Sequence, residues 1–192
     1  MKKIMKQKMN NNWFKHLKIV LKHKHEVLKV CFKAKLYWQG IVHDLSKFSY
    51  TEFSESVKFY TGTRSPIDAA KESQGYSAAW QHHKGRNPHH YEYWIDKLDD
   101  GGVPLIMLYK YVMEMICDTI AAGRVYEKDT WTKQRPNEWW NKKKQTAKIH
   151  PIIVKFCDMI YEDFAVLGYA ALRKEYSLFL YTILLKQENK NN

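Results

Sequence analysis

Apolar residues recur at three- and four-residue steps along most of the chain, and alternating β-branched runs are nearly absent. This pattern predicts helices almost throughout, and hence an all-α fold. A first helix is expected from about Trp13 to Trp38, with Trp13, Leu17, Val20, Val27, Cys31 and Ala34 on its apolar face and Gly40 ending it. A second helix carries IVHDLSKF. Ser49 or Thr51 caps a third, with Thr51 and the residues around Glu55 resembling a loose capping arrangement. TGTRSP reads as a loop, and Pro66 opens a helix running through DAAKESQGYSAAWQHH, weakest at Gly75. KGRNP is a turn, HHYEYW a short segment and LDDGGVP a loop. A strong apolar helix is expected from Pro104 to about Ala122, another from Asn137, and two more after Pro151 on either side of Gly168.

The length of 192 residues favours one domain, with a motif-bearing core at about 13–125 and a helical extension at about 137–186. Hydrophobic residues at 45% and charged residues at 27% support a buried core and argue against a disordered chain. The longest apolar run, Tyr176 to Leu185, is too short for a membrane span. The first twenty residues have no long apolar stretch and no small-residue cleavage site, so a signal peptide is not expected. Cys31, Cys117 and Cys157 form no CxxC pair, which speaks against a disulfide framework or a thiolate zinc site. Cytoplasmic localisation is the resulting expectation.

Charge changes the picture of possible partners. Lys plus Arg number 32 against 20 acidic residues, a formal net charge of +12. Such a surface suits anions: phosphates, nucleic acid or acidic lipid. Lysines interleaved with aromatics near Trp139-Trp140-Asn141-Lys142 leave a non-catalytic nucleic-acid-binding role open. Base readout favours arginine, however, and only five of the basic residues are arginines.

The nine histidines carry the candidate chemistry. Imidazole and carboxylate are ligands of zinc, iron and manganese. His23 has Ile19, Val20, Val27 and Val30 as helical neighbours, which places it on the buried face; His25 faces a more solvated one. A core histidine bonded to a backbone carbonyl would give the same pattern. On a helix, His43, Asp44 and Lys47 would share one surface, a geometry that suits a metal, with Asp44 able to bridge a second and Lys47 able to meet a phosphate. Four histidines (His82, His83, His89 and His90) fall within nine positions around a Gly-Arg-Asn-Pro turn, and Arg86 in that turn could bind an anion. Asp118 lies in the apolar stretch YVMEMICDTIAA, where burying a carboxylate without a cation is costly; Glu114, one turn earlier, could orient a ligand. A serine or cysteine nucleophile is not supported, and no glycine-rich phosphate loop is present.

His23, the His43-Asp44 dipeptide with Lys47, and a distant helical Asp118 together resemble the HD superfamily of metal-dependent phosphohydrolases. HDLSK resembles that family's HD-x-G-K stretch, with Ser46 where glycine is frequent. The further histidines resemble the binuclear branch. More closely, HDLSKFS, HHKxRNPHH and EMICD look like a family of small bacterial and phage proteins without an assigned activity, over about residues 16–125. The resemblance implies an HD-like helical bundle holding one or two divalent ions (Fe, Mn, Zn, Co, Ni or Mg). It implies a first ion on His23, His43, Asp44 and Asp118, and a second shared through Asp44 with His83, His89 and His90; periodicity does not decide between His82 and His83. It further implies hydrolysis of a small phosphorylated molecule, with a nucleotide favoured and Lys47 and Arg86 steadying the phosphate. The same ligand types also occur in HD-fold di-iron oxygenases, the alternative activity.

Overall fold

The computed structural model describes residues 2–62, 64–96 and 101–191. Among them are nine α-helices: α1 (Lys2–Lys33), α2 (Tyr37–Val42), α3 (Tyr50–Lys58), α4 (Pro66–Gln74), α5 (Ala78–Lys84), α6 (Tyr109–Glu127), α7 (Arg135–Lys143), α8 (Pro151–Leu167) and α9 (Lys174–Asn191). Short 3-10 turns lie between several of them. One two-residue antiparallel ladder joins β1 (Ile95–Asp96) to β2 (Val103–Pro104), with Ile95 opposite Pro104. The all-α expectation holds apart from that ladder. No helix of the described residues is long and apolar enough to cross a membrane.

The chain divides into two compact units. The first comprises Met1–His25 and His43–Asn87, the second Glu26–Val42 and Pro88–Asn192. In the second unit α6, α7, α8 and α9 enclose an apolar core that includes Ile116, Ile120, Ile153, Phe156, Ile160 and Phe164. Trp140 belongs to that core: it is 1% exposed, its ring stacks on Tyr161 and its indole N–H donates to Asp158 Oδ1 at 2.7 Å. Of the aromatic pair among the lysines, only Trp139 is exposed. All three cysteines are buried thiols, and burial raises the pKa of Cys157 well above its ordinary value.

The first unit has a different interior. Among the described residues its buried apolar side chains are Val20, Val57, Ala69, Ala70 and Ala79, most of them small. Beside them it buries His16, His23, His43, Asp44, Glu52, Ser77, His83 and Asn87. Groups of this kind lose hydration on burial and require compensating charge or hydrogen bonds.

Several element boundaries differ from the expectation, each for a physical reason. The first helix begins at Lys2 and stops at Lys33, because Lys35 takes a left-handed conformation (φ 57). Gly40 does not end it; Gly40 lies within α2, where a Cβ would stand 2.9 Å from Cys31 Cβ. The HD dipeptide follows α2 in a turn rather than on a helix, and Leu45–Phe48 form a 3-10 turn. Ser49 is the cap of α3 and accepts the Glu52 N–H at 3.4 Å, so the capping arrangement sits around Glu52 and not Glu55. Gly75 (φ 81) ends α4, and Ser77 starts α5 by accepting the Trp80 N–H at 3.0 Å. What was expected as one helix is thus two. α6 starts at Tyr109 rather than at Pro104, since Val103–Pro104 pair with β1 and the Leu105 N–H continues to the Trp94 carbonyl at 2.7 Å. Lys97–Asp100, at the start of the LDDGGVP loop, lie outside the described residues.

Candidate metal centre

The candidate residues of the first unit lie on α1, on the turn after α2, and on α5. Histidines at positions 16 and 23 share the face of α1 that carries Val20, seven residues being close to two helical turns. His25 points to solvent, as its neighbours predict. Asp44 adopts a left-handed backbone conformation (φ 55, ψ 27), one that aspartate tolerates better than most residues but that still carries strain. That turn separates α2 from the 3-10 segment and brings the carboxylate inward, to 3% exposure.

Asp44 is the hub. One of its oxygens, Oδ2, lies 3.2 Å from His43 Nε2 and 2.5 Å from Lys47 Nζ; the other, Oδ1, lies 3.3 Å from His83 Nε2. His23, His43 and Asp44 are all buried, and each offers a ligand atom within 4.8 Å of the others. The Lys24 ammonium donates to the His43 carbonyl at 2.8 Å, which fixes the backbone at the HD turn. Burial alone would raise the Asp44 pKa, but His43, Lys47 and His83 outweigh it and hold the carboxyl well below its ordinary range. The group is therefore an anion at neutral pH, surrounded by nitrogen donors. This donor set, imidazoles plus one buried carboxylate, fits a borderline divalent cation.

His82 and His83, which periodicity leaves undecided, are separated by burial. His83 is 2% exposed and beside Asp44, whereas His82 lies at the edge of a cleft of about 660 Å3 lined also by Tyr76, Gln81 and Arg86. Arg86 is exposed, and its guanidinium donates to the His82 carbonyl at 3.4 Å. Lys47, the expected phosphate contact, is ion-paired with Asp44.

A residue that periodicity did not single out is Glu52. It is 3% exposed, with Oε1 2.6 Å from His82 Nδ1 and Oε2 2.8 Å from His83 Nδ1. Burial raises its pKa, and the bonds from His83 and His82 more than reverse that, for a net lowering. An acid three residues after a serine cap is common at a helix start, so its position along the chain does not reveal this role.

The second unit holds its own group. His89 follows Pro88 and is 1% exposed. Its Nδ1 lies 3.2 Å from Glu114 Oε1 and its Nε2 3.9 Å from Asp118 Oδ2, both acids being one turn apart on α6. The His90 ring is 4.2 Å from that of His89, centroid to centroid. Glu114 is the more deeply buried of the two acids; the Asp118 side chain keeps 22% of its exposure.

Over residues 12–162 the chain matches the model of DUF5662, a family of unknown function, and it belongs to that family. No curated protein and no solved structure matches it.

Proposed function

We propose that this DUF5662 member is a metal-dependent phosphohydrolase of the HD type, acting on a small phosphorylated substrate, with a nucleotide the favoured class. The observation that carries the reading is the placement of Asp44: one buried carboxylate turns an oxygen to His43 and the other to His83, with His23 close to His43. A divalent ion held by His23, His43 and Asp44 would supply an acidified water and draw charge from the phosphoryl oxygens. In this reading Asp44 and His83, whose Oδ1 and Nε2 lie 3.3 Å apart, would hold a second cation. Lys47 balances the Asp44 charge and stands ready to pair with a substrate phosphate. Arg86 supplies a second anion contact from the cleft beside His82. His89, His90 and Asp118 lie in the second unit, and they enter the proposal through the sequence resemblance.

The test is reconstitution with Mn, Fe, Co, Ni, Zn or Mg and an assay of phosphate release from nucleotides and phosphomonoesters. The reading predicts metal-dependent release that is lost in Asp44→Ala while the helical circular-dichroism spectrum is kept. No release with any metal, together with oxygen uptake by the ferrous protein, would overturn it in favour of the oxygenase.

A further inference from the structure

Glu52 occupies a position that its helix does not explain. In a capping box the acid three residues after the cap would return to the N–H of that cap. Here the Ser49 N–H already donates to the Ser46 carbonyl at 2.8 Å. The Glu52 carboxylate turns instead toward α5 and accepts from His82 and His83, one imidazole on each oxygen.

A carboxylate only accepts, so the short contact places a hydrogen on His83 Nδ1. Two other polar groups approach that nitrogen: Ser46 Oγ at 3.2 Å, whose hydroxyl hydrogen serves the Glu52 carboxylate, and the Asn87 amide. Asn87 gives one amide hydrogen to Ser46 Oγ and one to the His83 carbonyl, both at 2.8 Å, which leaves its 3.1 Å approach to Nδ1 without a hydrogen to share. With Nδ1 protonated, Nε2 is the nitrogen that faces Asp44 Oδ1 at 3.3 Å. An imidazole lone pair and a carboxylate oxygen repel at that distance unless a cation or a proton lies between them. The second unit repeats the arrangement with different residues: His89 turns Nδ1 to the buried Glu114 and Nε2 toward Asp118.

We infer that Glu52 is a positioning residue of the metal centre, fixing the His83 ring with Nδ1 as donor and Nε2 as the ligand nitrogen beside Asp44. The inference rests on the metal-centre reading above and adds to it the residue that sets the strength of the centre. A carboxylate behind a ligating histidine orients the ring and raises its basicity, and losing such a partner typically costs about 10–100-fold in metal affinity.

The test compares zinc and cobalt affinities of the full chain with those of Glu52→Gln, alongside 15N spectra of the histidine rings in the zinc-loaded wild type. The expected results are affinity weakened by roughly 10–100-fold in Glu52→Gln and, in the wild type, a His83 ring with hydrogen on Nδ1 and metal on Nε2. The ring spectrum comes from the unaltered chain, so it stands even where the variant folds poorly. Wild-type affinity in Glu52→Gln, or a zinc-loaded His83 carrying hydrogen on Nε2, overturns the role of Glu52 alone. A wild-type chain that binds neither zinc nor cobalt overturns the metal-centre reading itself.

Discussion

Replacing Gly40 with alanine puts two opposing effects of known size against each other. Gly40 lies inside α2 with an ordinary helical backbone, so alanine there should gain about 1 kcal/mol in helix propensity. Against this, the new methyl group would lie 2.9 Å from Cys31 Cβ, 3.2 Å from Leu28 Cδ1 and 3.4 Å from Leu28 Cα. Carbon atoms attract best at about 3.5–4.0 Å, so the first contact is strongly repulsive. Cys31 is itself fully buried, and its Cβ, set by the helix backbone, cannot rotate away. α2 must move, and overpacking of this kind costs about 1–3 kcal/mol. The net effect is a destabilisation of up to about 2 kcal/mol, a fall in melting temperature of up to roughly 4–8 °C for a chain of this length. Thermal and urea melts of Gly40→Ala measure it. In a Cys31→Gly background the obstructing Cβ is gone, and Gly40→Ala should be neutral or stabilising. A rise in melting temperature in the otherwise wild-type chain would refute the close approach of α2 to α1.

Further outcomes follow from the first unit. Burial, aided by Lys47, lowers the His16 pKa from 6.5 to about 4, so the folded state holds its neutral form while the unfolded chain takes up a proton first. The stability tied to that neutral form is complete above pH 6.5 and is lost as the pH falls toward 4, up to about 3 kcal/mol. Urea midpoints at pH 7 and pH 4.5 should differ less in His16→Phe than in the wild type; equal differences would show that His16 does not titrate this way. Free zinc or cobalt at 100 times its dissociation constant should stabilise the wild type by about 2.7 kcal/mol in thermal melts, and a chelator should reverse it. Lys47→Met removes a competing cation from Asp44 Oδ2. It should leave metal binding intact or tighten it by up to about tenfold, roughly 1.4 kcal/mol, while lowering phosphate release; loss of metal in this variant would contradict the assigned role.

The helical class was legible because apolar spacing at three and four residues survives in almost every segment. The burial of His23 was legible for the same reason, since its helical neighbours are Val20, Val27 and their like. What failed were the short-range backbone features. Lys35 and Asp44 both adopt left-handed conformations that no periodicity encodes, and each breaks a run that would otherwise read as helix. Gly40 looks like a stop signal in one dimension and is a spacing requirement in three. Glu52 was hidden behind the cap it follows. Trp140 stands among lysines in the sequence, yet the core formed by α7 and α8 claims it. The candidate ligands were found by residue type and clustering, whereas the choice of His83 over His82 depends on how α5 meets α3 through Glu52.

The most direct measurement is a cobalt titration of the purified, metal-stripped chain, followed by visible absorption and elemental analysis, with Asp44→Ala beside it. Saturable binding with ligand-field bands in the wild type, and their loss in the folded variant, is the predicted result. A wild type that takes up no cobalt, or an Asp44→Ala chain that binds it as tightly, would contradict a metal centre built on Asp44.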